Sequence, residues 1–432
     1  MIKNIKRTPN QKIKGEITPP PDKSISHRSI IFASIGQGRS HINNLLEAKD
    51  CLNTLSVFKK MGISIKKKDN TYLIDGKGLY GLKQPKQKLD CGNSGTTMRL
   101  LAGLLAGQNG EFVLDGDQSL RKRPMQRITN PLRKMGADIK TERKNGFAPL
   151  KIKGKKLKAI NYDLPIASAQ LKSSLLLANL YTNEKMCLKE PEISRDHTEI
   201  IMKELGLNIN KEGLKIEFKS SINDNIPANE YKVPGDFSQA AYFITAALLI
   251  SNSELMIKNV NLNSTRTGFL KVIKEMGADF KIFDKKYLNG EPAGNILIKS
   301  STLEGITVSK DLIPSMIDEI PLIAILALKA HGRTTIKGAQ ELRVKESDRL
   351  SVLKTGFETL GLDINVWEDG FAIRGPQEIN KSGLLDPHLD HRMAMTFSIL
   401  GLIAKYGIGL ENHSCIENSF PGFFDKLNKI LY

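Results

Sequence analysis

One phrase of apolar and polar positions recurs along the chain: an amphipathic helical stretch closing on Met or Leu, then Gly, then a strand-type alternation. It stands at Lys60-Met61-Gly62-Ile63, Lys134-Met135-Gly136-Ala137, Glu204-Leu205-Gly206-Leu207, Glu275-Met276-Gly277-Ala278 and Thr359-Leu360-Gly361-Leu362. The glycines lie 74, 70, 71 and 84 residues apart. Each falls where a helix should end, because glycine enters the left-handed cap conformation without a Cβ clash. Two strands joined by a turn are predicted after each phrase, for example Ala137 to Glu142, a turn at Arg143 to Gly146, then Phe147 to Ile152.

Upstream of each phrase runs a second, more apolar helical stretch, opening near Ser24, Thr96, Gln170, Ser238, Asp318 and His391. Six openings against five glycine phrases leave one strand pair missing, just past the helix-like Gly422 to Ile430. Ile2 to Ile17 alternates, turns at Pro9-Asn10 and can supply it, so the N-terminal strand is expected with the C-terminal half. The chain thus divides into six units of about 72 residues. Three units per half predict an α/β fold of two domains, 20–234 and 1–19 with 235–432. The crossings near Pro19-Pro20-Pro21 and Pro234-Gly235 are hinge candidates, with a ligand cleft expected between the domains; a rigid pair without closure is the plainer alternative.

The 432 residues exceed what one hydrophobic core ordinarily serves, which agrees with two domains of roughly 200 residues. Apolar runs stay well below the ~18 residues of a membrane span, and Ala240 to Ile250 suits a buried element. Met1 to Lys14 has no apolar core of signal-peptide type. Cys51, Cys91, Cys187 and Cys415 have no metal-binding spacing, and a reducing, cytoplasmic compartment is expected. A net charge of +18 raises nucleic-acid binding. Against it, the lysines fall in short solvated runs such as Lys66 to Lys68, and aromatics at 6% are too few for a stacking platform. Small polyanions are the partner class that fits.

Candidate chemistry gathers at the helix openings, where free backbone N–H groups and the helix dipole favour anions. Asp22-Lys23-Ser24-Ile25-Ser26-His27-Arg28 offers a point charge, a hydroxyl and a planar fork within about one turn; a serine N-cap with solvated basic neighbours is the alternative. Gly92-Asn93-Ser94-Gly95-Thr96 is a Gly-rich turn into a helix that lets backbone amides approach an oxyanion. Arg123 precedes Pro124 at a helix entry. Ser168 and Gln170 suit sugar-like hydroxyls or, for the serine, plain capping. Asp318 and Glu319 suit a helix dipole as well as chemistry. Glu341 to Arg349 reads as a charged helix with Lys345 and Arg349 on one face and Glu346 beside them. Arg392 sits where it opposes a helix dipole, so an anion must compensate it.

In this order, Asp22 to Arg28, Gly92 to Thr96, Arg123-Pro124-Met125, Arg343 to Arg349 and Asp390-His391-Arg392-Met393-Ala394 closely resemble the EPSP synthase family, over about Lys23 to Pro421. The resemblance implies an enolpyruvyl transferase fold, a two-domain inside-out α/β barrel with three βαβαββ copies per domain. It implies transfer of the enolpyruvyl group of phosphoenolpyruvate to the 5-hydroxyl of shikimate 3-phosphate in aromatic amino acid biosynthesis. It further implies a monomer without metal or organic cofactor. Lys23, Ser24, Arg28, Ser168, Gln170, Ser194, Asp318 and Lys345 would hold shikimate 3-phosphate; Lys23, Gly95, Arg123, Gln170, Arg349 and Arg392 would hold phosphoenolpyruvate. Asp318 would be the base and Glu346 the acid, with Lys23 also catalytic. Two phosphates at about −3 to −4 together and two carboxylates would meet the cations Lys23, Arg28, Arg123, Lys345, Arg349 and Arg392. The chain departs from the better-known branch at Asn418, where that branch has Lys, at His197, where it has Tyr, and at Glu341, where it has Asn. The sister transferase acting on UDP-N-acetylglucosamine carries a reactive Cys in its first domain; Gln118 to Arg123 has none.

Overall fold

The computed structural model describes residues 2–142, 146–220 and 225–432. Residues 143–145 of the turn predicted at Arg143 to Gly146 lie outside the described residues. The six apolar runs form six helices: α1 (Lys23–Ile35), α2 (Gly95–Ala106), α3 (Ala169–Asn179), α4 (Phe237–Leu249), α5 (Ile320–Lys329) and α6 (His391–Ile403). Their apolar character extends around most of the circumference, which forces them inside. Short polar side chains start most of them: Asp22 accepts from Ile25 N (2.9 Å), Ser94 from Thr97 N (3.1 Å) and Asp236 from Ser238 N (2.8 Å).

Five further helices, Lys49–Lys60, Gln126–Lys134, His197–Glu204, Gly268–Glu275 and Arg349–Thr359, end on the glycine phrases. The glycines there have φ of +88°, +95°, +79°, +95° and +72°, the left-handed region that a Cβ disfavours. A sixth helix, Phe423–Lys429, lies near the end of the chain.

Among the described residues the strands form six small sheets. The pattern is plain in Leu89–Asp90, Glu111–Asp115, Leu150–Lys153 and Asp138–Thr141, where one parallel neighbour precedes an antiparallel pair. Lys3–Ile5 pairs antiparallel with Ile408–Leu410, Ile13 bridges Leu431, and Lys14–Ile17 runs parallel to Glu254–Asn261. The first strands of the chain therefore complete sheets built from its second half.

The chain forms two compact units. The first holds Pro21–Val233 and Tyr287–Glu291; the second holds Met1–Pro20, Pro234–Lys286 and Pro292–Tyr432. Tyr287–Glu291 contains the tip of the hairpin Phe280–Leu288 and Glu291–Lys299, turned at Asn289-Gly290, both at positive φ. In the first unit α1, α2 and α3 fill the core with side chains such as Phe32, Leu101 and Leu175; in the second, α4, α5 and α6 do so with Phe243, Ile325 and Met395. Outer strands such as Ser64–Lys68 turn mostly polar positions to solvent, so each unit is helix-centred with its sheets outside. No helix among the described residues is long and apolar enough to cross a membrane.

Candidate active site

In the first unit, α1 begins at Lys23, whose ammonium pairs with the buried Asp50 carboxylate. Ser24 lies in the first turn, and the cap is Asp22 rather than the serine. Arg28 is buried: Nε donates to Thr198 Oγ1 (2.6 Å), Nη1 to the Ser24 carbonyl (3.0 Å) and Nη2 to Ser173 Oγ (2.8 Å). Burial lowers its pKa to about 10, with Glu199 pulling the other way. Its guanidinium thus ties the first turn of α1 to α3 and to helix His197–Glu204.

α2 opens on Gly95, where a Cβ would lie 3.1 Å from Arg99 Nη1 and 3.4 Å from Arg123 Nη1. Two guanidinium groups therefore flank one helix N-terminus, a strongly anion-attracting arrangement. Arg123 Nη2 donates to Asn93 Oδ1 (2.5 Å). Arg99 Nη1 donates to Gln170 Oε1 (2.6 Å), while Gln170 Nε2 donates to Thr96 Oγ1 (3.0 Å), fixing the amide. The sequence reading overlooked Arg99; its place one turn after Gly95 was the available signal. Ser168 caps α3 by accepting from Leu171 N (3.3 Å). Ser194 is buried, with its hydroxyl donated to Glu190. His197 Nδ1 meets Glu291 Oε1 at 2.6 Å, joining the start of helix His197–Glu204 to the hairpin tip.

In the second unit Arg349 is buried at the centre of three carboxylates. Nε donates to Asp390 Oδ2 (2.8 Å), Nη1 to Asp318 Oδ1 (3.2 Å) and Nη2 to Glu346 Oε2 (2.7 Å). Asp318 Oδ2 also lies 3.3 Å from Arg392 Nη2, and among the described residues the buried Arg392 Nη1 has no hydrogen-bond partner. Asp390 caps α6, accepting from Arg392 N (2.9 Å) and Met393 N (3.4 Å), so the cation at that helix mouth is compensated by Asp390 and Asp318. Burial opposes charge on Arg349 and Arg392, yet the adjoining carboxylates outweigh it and raise both pKa values. For Lys345 burial prevails over Asp318 and Glu341, and the pKa falls.

The segment from Glu341 to Arg349 differs from the continuous helix expected. Gln340–Val344 is a 3-10 turn, Lys345 is off-helix at φ −82° and ψ −147°, and Arg349–Thr359 starts afresh. Asp348 accepts from Ser351 N (3.1 Å) and so caps a new helix, while Arg343 donates to the carbonyls of Trp367 (2.6 Å) and Glu368 (2.7 Å). Lys345 and Arg349 therefore do not share a helix face. Asn418 closes the 3-10 turn His413–Asn418.

The structure thus brings together Gly95, Arg123 and Gln170 at one core-helix opening of the first unit and sets Lys23, Ser24 and Arg28 at another. In the second unit it gathers Asp318, Glu346, Arg349 and Arg392. Guanidinium groups so placed suit an anionic substrate, and once such an anion takes up those cations the carboxylates beside them can move protons.

The fold is that of the enolpyruvyl transferases. An enolpyruvyl transferase, NikO from Streptomyces tendae, superposes with a TM-score of 0.80 at 16% identity, covering 100% of this chain and 98% of that one. EPSP synthase from Acinetobacter baumannii superposes with a TM-score of 0.88 at 41% identity, covering 100% and 99%. The family model for EPSP synthase (3-phosphoshikimate 1-carboxyvinyltransferase) matches residues 7–427. The 3-phosphoshikimate 1-carboxyvinyltransferases of Thermodesulfovibrio yellowstonii and Petrotoga mobilis are 47% and 45% identical, over 97% and 99% of both chains. The chain belongs to the EPSP synthase family.

Proposed function

We propose that the chain transfers the carboxyvinyl group of phosphoenolpyruvate to the 5-hydroxyl of shikimate 3-phosphate, releasing phosphate, as a step of aromatic amino acid biosynthesis. Family membership across residues 7–427 supports the reaction. The geometric observation that carries it is Arg392, a buried guanidinium beside Arg349 and Asp318 whose Nη1 has no hydrogen-bond partner among the described residues. An anionic ligand completes such an arrangement.

In this reading Lys23, Ser24, Arg28, Ser168, Gln170, Ser194, Asp318 and Lys345 serve shikimate 3-phosphate, and Lys23, Gly95, Arg123, Gln170, Arg349 and Arg392 serve phosphoenolpyruvate. The 5-hydroxyl adds to C2 while C3 gains a proton, and the tetrahedral intermediate then expels phosphate as the new methyl group gives up a proton, which restores the methylene. Asp318 takes the hydroxyl proton and Glu346 supplies the proton to C3. A carboxylate held by two guanidinium groups is a poor base. Phosphoenolpyruvate, by engaging Arg349 and Arg392, frees Asp318 for that task. The protein acts as a cytoplasmic monomer on small polyanions and not on nucleic acid.

The test is solvent exchange. In deuterium oxide the enzyme should place deuterium in the methylene of phosphoenolpyruvate only when shikimate 3-phosphate is present. Exchange independent of shikimate 3-phosphate, or none with it, counts against the mechanism.

A further inference from the structure

Lys172 was not among the residues singled out by sequence, yet it is the most thoroughly buried ammonium described, with no side-chain exposure. It projects from the first turn of α3, two residues after Gln170. Nζ lies 2.9 Å from Glu190 Oε2 and 2.7 Å from Glu199 Oε1, and donates to the Ser194 carbonyl at 3.4 Å. Glu190 follows strand Lys185–Lys189, and Glu199 lies in helix His197–Glu204. One side chain thus joins three elements. Between the two glutamates runs an irregular segment carrying Ser194, and both polar ends of that serine are held: its carbonyl by Lys172, its hydroxyl by Glu190.

A neighbouring residue on each helix repeats the link. Ser173 Oγ and Thr198 Oγ1 are 2.7 Å apart, and these are the two hydroxyls that receive Arg28. The rung Lys172–Glu199 and the rung Ser173–Thr198 therefore set Ser194 and Arg28 from the same pair of helices. The charges balance: Lys172 and Arg28 against Glu190 and Glu199. Burial disfavours the ammonium, but Glu199 and Glu190 prevail and keep its pKa raised. An ammonium so placed stays charged through the neutral range, which suits a fixed strut rather than a proton donor.

We propose that Lys172 is a positioning residue for shikimate 3-phosphate: with Glu190 and Glu199 it holds the Ser194 segment and the Arg28 frame in the geometry that receives this substrate. The proposal rests on the functional reading above. Without the ammonium, two buried carboxylates are left facing one another, and relief comes by moving the segment that ends in Ser194.

The test uses the full chain with Lys172→Met, with Lys172→Met/Glu199→Gln, which removes one charge of each sign, and with Glu190→Gln, which leaves Lys172 paired with Glu199. Each folded variant should raise the KM for shikimate 3-phosphate, about tenfold or more for those lacking the lysine. The KM for phosphoenolpyruvate should stay within about twofold and kcat within about threefold. Amide hydrogen exchange of residues 190–196 in the free enzyme should quicken at least tenfold in the lysine variants, a readout independent of which substrate is used. Should Lys172→Met fail to fold, the other two variants carry the test. Unchanged KM for shikimate 3-phosphate in folded variants, equal rises for both substrates, or unchanged exchange at residues 190–196 overturns the proposal. If the wild type turns over neither substrate while the exchange changes as expected, it is the functional reading that fails.

Discussion

At the scale of single residues, two carboxylates with different surroundings are assigned different tasks. Glu346 pairs with the Arg349 guanidinium and is partly exposed; Asp318 pairs with those of Arg349 and Arg392 and is less exposed. Glu346→Gln should therefore lower turnover by a factor on the order of 10² to 10⁴, the scale of general acid catalysis, and leave the dissociation constant of shikimate 3-phosphate within about threefold. Asp318→Asn should lower turnover and weaken shikimate 3-phosphate as well, because the same side chain is read as its contact and as the counter-charge of two arginines. Steady-state kinetics with calorimetric titration separates the two; near-normal turnover in Glu346→Gln removes it as the acid and leaves Lys23 in its place. Gly95 makes a third case. The Cβ of Gly95→Ala would stand 3.1 Å from Arg99 Nη1 and 3.4 Å from Arg123 Nη1, tight enough to displace them. The KM for phosphoenolpyruvate should rise about tenfold, with the melting temperature nearly unchanged, since the ends of flexible side chains can give way.

At the scale of elements, a line of buried polar groups links α1 to α2 through helix Lys49–Lys60. His27 Nδ1 meets Thr54 Oγ1 at 2.8 Å, and Thr54 Oγ1 meets Thr97 Oγ1 at 2.7 Å. Burial, reinforced by Lys23, lowers the His27 pKa to about 3. The folded histidine is then neutral where the unfolded one, at about 6.5, binds a proton. Its contribution to stability is present above pH 6.5 and is lost as pH falls from there toward 3, on the order of 5 kcal/mol in full. Denaturant melts at pH 7 and pH 4.5 should show a smaller acid loss in His27→Gln than in the wild type; equal losses would mean the histidine is not held neutral. The elements themselves were readable from sequence because each rests on local chemistry. All five glycine phrases close helices at positive φ, and the buried helices begin within about two residues of the predicted openings. What was not readable depends on contacts distant in sequence. Arg28 meets Ser173 and Thr198, and Lys172 meets Glu190 and Glu199, through packing of helices that no local pattern specifies. Lys345 and Arg349 were misplaced on one helix because charge spacing alone did not reveal the cap at Asp348.

At the scale of the whole molecule, the repeat is closed across the ends of the chain. Ile5, Ile13 and Ile17 belong to the core of the second unit, and each fully buried side chain of this size is worth about 1.5–3 kcal/mol. Set against the roughly 5–15 kcal/mol of a typical domain, removal of residues 2–17 should unfold the second unit. The first unit, with its own core, should keep a cooperative transition in calorimetry; a truncated protein that melts like the full chain would show the opening strands to be dispensable. The chemistry of the molecule is decided by product analysis of the purified protein with phosphoenolpyruvate and shikimate 3-phosphate, together and singly. Phosphate and 5-enolpyruvylshikimate 3-phosphate should form in equal amounts when both are present and neither when one is missing; phosphate released from phosphoenolpyruvate alone, or turnover only when UDP-N-acetylglucosamine replaces shikimate 3-phosphate, would rule the reaction out.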